Sequence, residues 1–289
     1  MFVKGVDDFL QLLDLVPGGD GVWAGATPSG TERPGLYGGF IAAQALRAAH
    51  LSVGSELHPH SLQALFLRAG RFGEPVEFLV DVTRDGRSFS ARRVEARQRG
   101  DIIFTMLASF QVTEEGDDYQ LAPPRLDPPD AAQPLVSTGQ ETGTGGDGPF
   151  GIVAVPAGGH RDHTLDWSPT RYWAKARHAL PDDSGIHACA LVAMGDLRTG
   201  HPPRLARGSE LPVRMTTLDY SVWLHRRFRA DEWLLFDLKA AGNGGARGLT
   251  YGIVHDEHGG QAASFTMELL LRDQPGEPSP FGAPKKAAP

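Results

Sequence analysis

Two stretches of the chain are apolar with almost no polar interruption, and both read as buried helices. The first, FIAAQALRAAH, follows Tyr37-Gly38-Gly39, and the second runs from Ser184 to Arg198 as SGIHACALVAMGDLR. Alanine, leucine and methionine favour helix, no proline interrupts either run, and a helix that is apolar all round is a buried one. Pro181-Asp182-Asp183 supplies a capping-rich start, and Gly200 and Pro202 supply the stop. A single carboxylate, Asp196, stands at the far end of the second run. A buried acid is costly unless it is hydrogen-bonded or used, so Asp196 either turns to solvent or has a task. Gly38 and Gly39 form either a plain tight turn or a place where a backbone or ligand approaches the unsatisfied helix amides.

The remaining periodicity is mostly that of strands. Val6 to Leu15 reads as a short amphipathic helix with Phe9, Leu12 and Leu13 on one side, and Val22 to Gly25 as a first strand. Four runs with strand character follow: Leu57 to Arg68, Pro75 to Arg84, Ser88 to Gln98 and Asp101 to Val112. Asp85-Gly86 and Arg99-Gly100 between them are hairpin turns. Consecutive hairpins with one buried helix make an α+β layer. Residues 113–164 are rich in proline, glycine and aspartate and read as a linker, because so long a structureless loop inside one domain is uncommon. Asp162, His163 and Asp166, at its end and just after it, lack the fourth ligand and regular spacing of a metal site, so no metal is expected. Order resumes with a strand at Arg171 to Arg177, the second helix, and strands at Leu211 to Phe228, Glu232 to Ala241, Ala246 to His255 and Gln261 to Arg272. The tail from Gln274 is rich in proline and is expected to lack regular structure.

The two halves repeat one order, a helix and then four strands. Phe66-Leu67-Arg68 is followed six residues later by Glu74, as Leu224-His225-Arg226 is by Glu232. Phe104-Thr105-Met106 matches Phe265-Thr266-Met267 in the last strand of each set. Such self-similarity implies a duplicated unit packed as a pseudo-dimer. The expected division is 1–115, a linker at 116–165, 166–273 and a tail at 274–289.

Composition narrows the function. With 40% hydrophobic and 22% charged residues the chain is globular, and a formal net charge of −7 argues against nucleic-acid or anionic membrane surfaces. Its one cysteine, Cys189, lies inside the apolar helix, which excludes a disulfide framework. The amphipathic, acidic N-terminus is unlike a signal peptide and no run spans a membrane, so a cytoplasmic protein without membrane partners is expected. There is no Gly-x-Ser-x-Gly elbow, P-loop or dinucleotide fingerprint.

Several blocks resemble the TesB-like (type II) acyl-CoA thioesterases. They are Arg84-Asp85-Gly86-Arg87-Ser88-Phe89-Ser90-Ala91-Arg92-Arg93-Val94, Tyr37-Gly38-Gly39 with Gln44-Ala45-Leu46, and Thr217-Leu218-Asp219 with Trp223-Leu224-His225-Arg226. The resemblance spans nearly the whole chain. It implies a double hotdog fold: two tandem hotdog domains, each an antiparallel β-sheet wrapped around a long central helix. It also implies hydrolysis of a fatty or related acyl-CoA to acid and CoA, with no cofactor beyond the CoA of the substrate, and assembly into a homodimer or homotetramer. The family positions water with an Asp, a Thr or Ser, and a Gln. These fall on Asp196, Thr217 and Met267, so the third position departs from the pattern and matches Met106 of the half that the family leaves inactive.

The chemistry of these residues fits that role. A carboxylate at the end of an apolar helix can take a proton from water, and the Thr217 hydroxyl can orient it. The glycine pair Gly38 and Gly39 would bind the substrate, the Gly39 amide at a helix N-terminus being the expected oxyanion donor. A thioether can neither donate as an amide nor act as an acid. Arg68, Arg87 and Arg92 are candidates for the CoA phosphates, each with an equal reading as an ordinary exposed strand arginine. Two alternatives stand beside hydrolysis. One is an acyl-CoA-binding protein that has lost turnover, suggested by Met267. The other is a hydratase, disfavoured because Gly200-His201-Pro202 interrupts the Asp196–His201 spacing.

Overall fold

A computed structural model describes residues 2–3, 9–28, 35–130, 133–138, 142, 144, 147–155, 170–207 and 212–274. The helices are α1 (Phe9–Leu13), α2 (Gly38–His50), α3 (Ser184–Gly195) and α4 (His201–Ala206). The first strands are β1 (Phe2–Val3), β2 (Val16–Gly19), β3 (Val22–Gly25), β4 (Thr27–Pro28), β5 (Leu57–Phe66), β6 (Val76–Asp85), β7 (Phe89–Gln98) and β8 (Asp101–Val112). Then come β9 (Val136–Ser137), β10 (Phe150–Ala154), β11 (Thr170–Ala176), β12 (Val213–Leu224), β13 (Leu234–Gly244), β14 (Arg247–Asp256) and β15 (Gln261–Asp273).

Thirteen strands form one sheet in the order β2-β3-β6-β7-β8-β5-β12-β15-β14-β13-β11-β10-β9, while β1 and β4 pair separately. Outward from the centre the two sides repeat: β5-β8-β7-β6-β3 on one side, β12-β15-β14-β13-β11 on the other. The halves join where β5 and β12 pair antiparallel, from Asp219 opposite Leu65 to Trp223 opposite Ser61. Each half carries its own long helix, so the chain is a double hotdog, as the resemblance to the type II thioesterases implies.

The two long helices form the centre. Asp183 caps α3, its carboxylate accepting from the amides of Gly185 at 2.8 Å and Ile186 at 3.4 Å. Every α3 residue from Gly185 to Gly195 is buried. Withdrawing side chains such as Leu191 and Val192 from water contributes roughly 1.5–3 kcal/mol each. Glycine lets the helices touch: a Cβ on Gly39 would lie 2.6 Å from the Ala193 carbonyl, and one on Gly185 2.0 Å from His50 Nδ1.

Three expectations need correction. Residues 150–154, expected as linker, form β10, with Phe150 and Ile152 fully buried. The apolar side chains of that short run have a sheet edge to cover, pairing with β11 from Phe150 opposite Ala176 onward. Second, His201 and Pro202 of the Gly200-His201-Pro202 stop themselves begin α4, whose early prolines suit a helix start because their missing N–H groups would be unsatisfied there anyway. Third, Arg92 is no exposed strand arginine. It is 2% exposed, its Nε donates to Ser52 Oγ at 2.9 Å, its Nη2 to Ser52 O at 2.9 Å, and it pairs with Asp85 at 2.7 Å. Its charge is satisfied internally and is not offered to CoA. Asp162, His163, Asp166 and the tail from Pro275 lie outside the described residues.

Burial sets the acid response of the fold. The pKa values of His50, His60, His187, His225 and His255 are lowered chiefly by burial. That of His201 is pushed down to about 4, by burial first and then by Arg198 and Arg204. The unfolded chain takes up these protons near the ordinary value of 6.5, before the folded chain does. Stability is therefore complete above that pH and is lost as pH falls below it. Asp219, raised from 3.8 by burial, opposes this only at lower pH and is one group against six. Thermal melts from pH 8 to 4 should show the midpoint falling steadily below pH 6.5; a midpoint that rises on acidification would overturn this reading.

Candidate active site

Asp196 follows the last residue of α3 as its C-cap and is half-buried. Its backbone is fixed by a relay, Thr199 Oγ1 donating to Asp196 O at 3.2 Å and Thr250 Oγ1 to Thr199 O at 2.7 Å. Its side chain reaches into the other half of the molecule. The Gly39 amide donates to Asp196 Oδ2 at 2.9 Å, and Thr217 Oγ1 donates to Oδ1 at 3.2 Å. Tyr37, the N-cap of α2, gives that helix no side-chain cap, so Asp196 takes the place of one from the opposite half. An anion is favoured there, since unsatisfied amides and the helix dipole make a helix N-terminus positive.

A bulge in β12 brings the hydroxyl into place. The register with β15 shifts between Thr217 and Asp219, leaving Leu218 without a partner. The extra residue allows Thr217 and the fully buried Tyr220 to point inward from one face. Met267 is buried directly opposite Tyr220, diagonal to Thr217 across the ladder. Its neighbour Glu268 turns away and pairs with Arg247 at 2.9 Å. Gly38 lets the Phe66 ring and the acid approach the start of α2, since a Cβ there would lie 2.8 Å from the Phe66 ring and 3.1 Å from Asp196 Oδ2.

Asp196, Thr217 and Gly39 thus converge, with Gly38 beside them. The Gly39 amide holds the carboxylate in this structure, rather than standing clear as the oxyanion donor anticipated from the sequence. Arg68 is exposed after β5 and donates to Ile102 O at 2.7 Å, and Arg87 is exposed in the turn between β6 and β7. Among the described residues no group of three His, Cys, Asp or Glu side chains is arranged to hold a metal. Sequence reasoning did not anticipate Tyr220, whose signal was a tyrosine in an otherwise apolar inward-facing register.

In this double hotdog a carboxylate and a hydroxyl of the C-terminal half meet over the amide end of the opposing helix. Comparison with known proteins agrees. Residues 27–111 match the family described as acyl-CoA thioesterase N-terminal domain, and residues 129–271 match the acyl-CoA thioesterase C-terminal domain. The chain belongs to this acyl-CoA thioesterase family. It is 32% identical over 260 residues to acyl-coenzyme A thioesterase 8 of Rattus norvegicus, covering 83% of this chain and 81% of that one. It is 29% identical over 251 residues to acyl-CoA thioesterase 2 of Haemophilus influenzae, covering 82% and 87%. Among solved structures, acyl-CoA thioesterase II TesB2 from Mycobacterium marinum superposes with a TM-score of 0.79 at 35% identity, over 92% of this chain and 99% of that one.

Proposed function

We propose that the protein hydrolyses acyl-CoA thioesters with Asp196 as the general base. The observation that carries this reading is the Asp196 carboxylate, half-buried between the Thr217 hydroxyl and the Gly39 amide. The carboxylate takes a proton from a water oriented by Thr217, and the water oxygen bonds to the thioester carbonyl carbon. The carbonyl oxygen, now negative, lies against the Gly38 amide at the positive end of α2, the Gly39 amide being held by Asp196. The tetrahedral intermediate expels CoA as its thiolate, which recovers the proton from Asp196, leaving acid and CoA as products. No cofactor is needed for these steps. Thiol release by the wild-type protein across a series of acyl-CoA chain lengths tests the reading. Turnover at one or more lengths is expected; saturable binding with thiol release at background would favour a binding protein instead.

Met267 supports a slower enzyme. Removing one donor that orients water lowers rate by about ten- to a thousandfold. Met267→Gln is therefore expected to raise kcat by about tenfold, and an unchanged kcat would show that the position takes no part. The gain should come with a lower melting point, because an amide enters a fully buried site.

The protein is further proposed to act in the cytoplasm as a homo-oligomer within lipid metabolism. Buried, unpaired Cys189 suits a reducing compartment. No helix of the described chain is long and apolar enough to cross a membrane, which says nothing of β-barrels. Leu65, Leu107 and Trp223, exposed by 51%, 45% and 40% on the strands about the central β5–β12 junction, support pairing with another copy. Light scattering should give at least twice the monomer mass.

A further inference from the structure

Three of the chain's five tyrosines converge on the end of α3 and the residues just after it, from Val192 to Leu197. Tyr37, before α2, donates to the Ala193 carbonyl at 2.7 Å. Tyr172, on β11, donates to Leu197 O at 2.7 Å and approaches Met194 O at 3.4 Å. Tyr220, on β12, donates to Val192 O at 3.3 Å. All three are buried, Tyr172 and Tyr220 completely. Their acceptors bracket Asp196: Val192, Ala193 and Met194 in the last turn of α3, and Leu197 just beyond it, where the helix's own amides run out. Gly195 makes room for one of the donors, since a Cβ there would lie 2.0 Å from the Tyr220 hydroxyl oxygen.

The other long helix ends differently. At the close of α2, Ala49 O accepts from Ser52 Oγ at 2.7 Å, an ordinary local contact. Met106 faces Ala64 where Met267 faces Tyr220, and Ala64 and Tyr220 are themselves partners across the central junction. The hydroxyl on the Asp196 side is thus matched by a methyl on the other.

We infer that Tyr37, Tyr172 and Tyr220 are positioning residues that tie down the last turn of α3 and so aim and electrostatically support Asp196. This rests on Asp196 being the base. The physical need is clear. Aligned carbonyls give a helix C-terminus partial negative charge, which opposes ionisation of a carboxylate placed there. Hydroxyl donors offset those carbonyl dipoles from three directions while fixing the path of the chain into Asp196. The other titratable groups on the neighbouring strands face elsewhere: Asp219 accepts from the Glu268 amide at 3.4 Å, and Glu268 is paired with Arg247. Burial and the charge of Asp196 both hold the Tyr220 phenol in its protonated, donating form.

The test removes each hydroxyl singly, as Tyr37→Phe, Tyr172→Phe and Tyr220→Phe, and measures kcat, KM, melting point and the pH profile of thiol release. Tyr251→Phe, half-buried on β14, is the control. Each of the three should lower kcat by about three- to tenfold with KM unchanged. Each should also move the acid limb of the profile upward by about half a pH unit, while the control leaves both as in wild type. A lowered melting point with wild-type kcat and pH profile would overturn the inference, leaving the hydroxyls a structural role only. Should one variant fail to fold, the other two carry the test. Equal turnover by wild type and Asp196→Asn would instead overturn the assignment of the base, and the inference with it.

Discussion

Asp196→Asn is expected to lower kcat by roughly a thousandfold, the middle of the range for a lost general base. The substitution is nearly isosteric. Its carbonyl oxygen can still accept from the Gly39 amide or from Thr217, so the cap of α2 survives in part and the melting point should move by only a few degrees. KM should change little, because the carboxylate acts on water and not on the bound thioester. Steady-state thiol release together with a thermal melt separates chemistry from folding. A variant that keeps more than about a tenth of wild-type kcat would remove Asp196 from the role of base. Thr217→Val should be milder, since a hydroxyl that orients water accelerates without being the proton acceptor.

Gly39→Ala is expected to affect stability and turnover together. Its Cβ would lie 2.6 Å from the Ala193 carbonyl and 2.6 Å from the Tyr37 ring. The first neighbour is backbone and cannot rotate away, so the two central helices must separate. Overpacking of this kind destabilises by about 1–3 kcal/mol. The same displacement draws the Gly39 amide from Asp196 Oδ2 and disturbs the Tyr37 hydroxyl bond to Ala193, so kcat should fall by a hundredfold or more, on the order of what a small misplacement of reacting groups costs. Gly242→Ala, where the new carbon meets nothing within 4 Å, is the matched control and should behave as wild type. A Gly39→Ala protein with wild-type melting point and kcat would show that the helices can cross without glycine.

Much of this architecture is legible along the chain because burial writes itself into residue type. The two alanine-rich runs became α2 and α3, Asp183 caps α3 from within the expected Pro-Asp-Asp signal, and the hairpin turns at Asp85-Gly86 and Arg99-Gly100 join β6 to β7 and β7 to β8. The duplicated strand sets became the two sides of one sheet. What escaped depended on contacts between distant parts. Alternation in β7 placed Arg92 on the face of Val94, yet it takes Ser52, Asp85 and the Arg84 and Ala91 carbonyls to make burial of that charge tolerable. The pairing of Gly39 with Asp196 crosses 157 positions and both halves, so the amide read as an open oxyanion donor is engaged by the acid. β10 was hidden because its five residues are surrounded by proline and glycine. The tyrosine hydroxyls left no periodic trace, since each arrives from a different element.

The most direct measurement is a single turnover of the wild-type protein in oxygen-18-labelled water, followed by mass analysis of the released acid and of the Asp196 peptide. If Asp196 activates water, the first turnover places the label in the fatty acid and none in the protein. Label in the Asp196 carboxylate with unlabelled acid would instead mean direct attack through an anhydride, and would contradict the role assigned to Asp196 here.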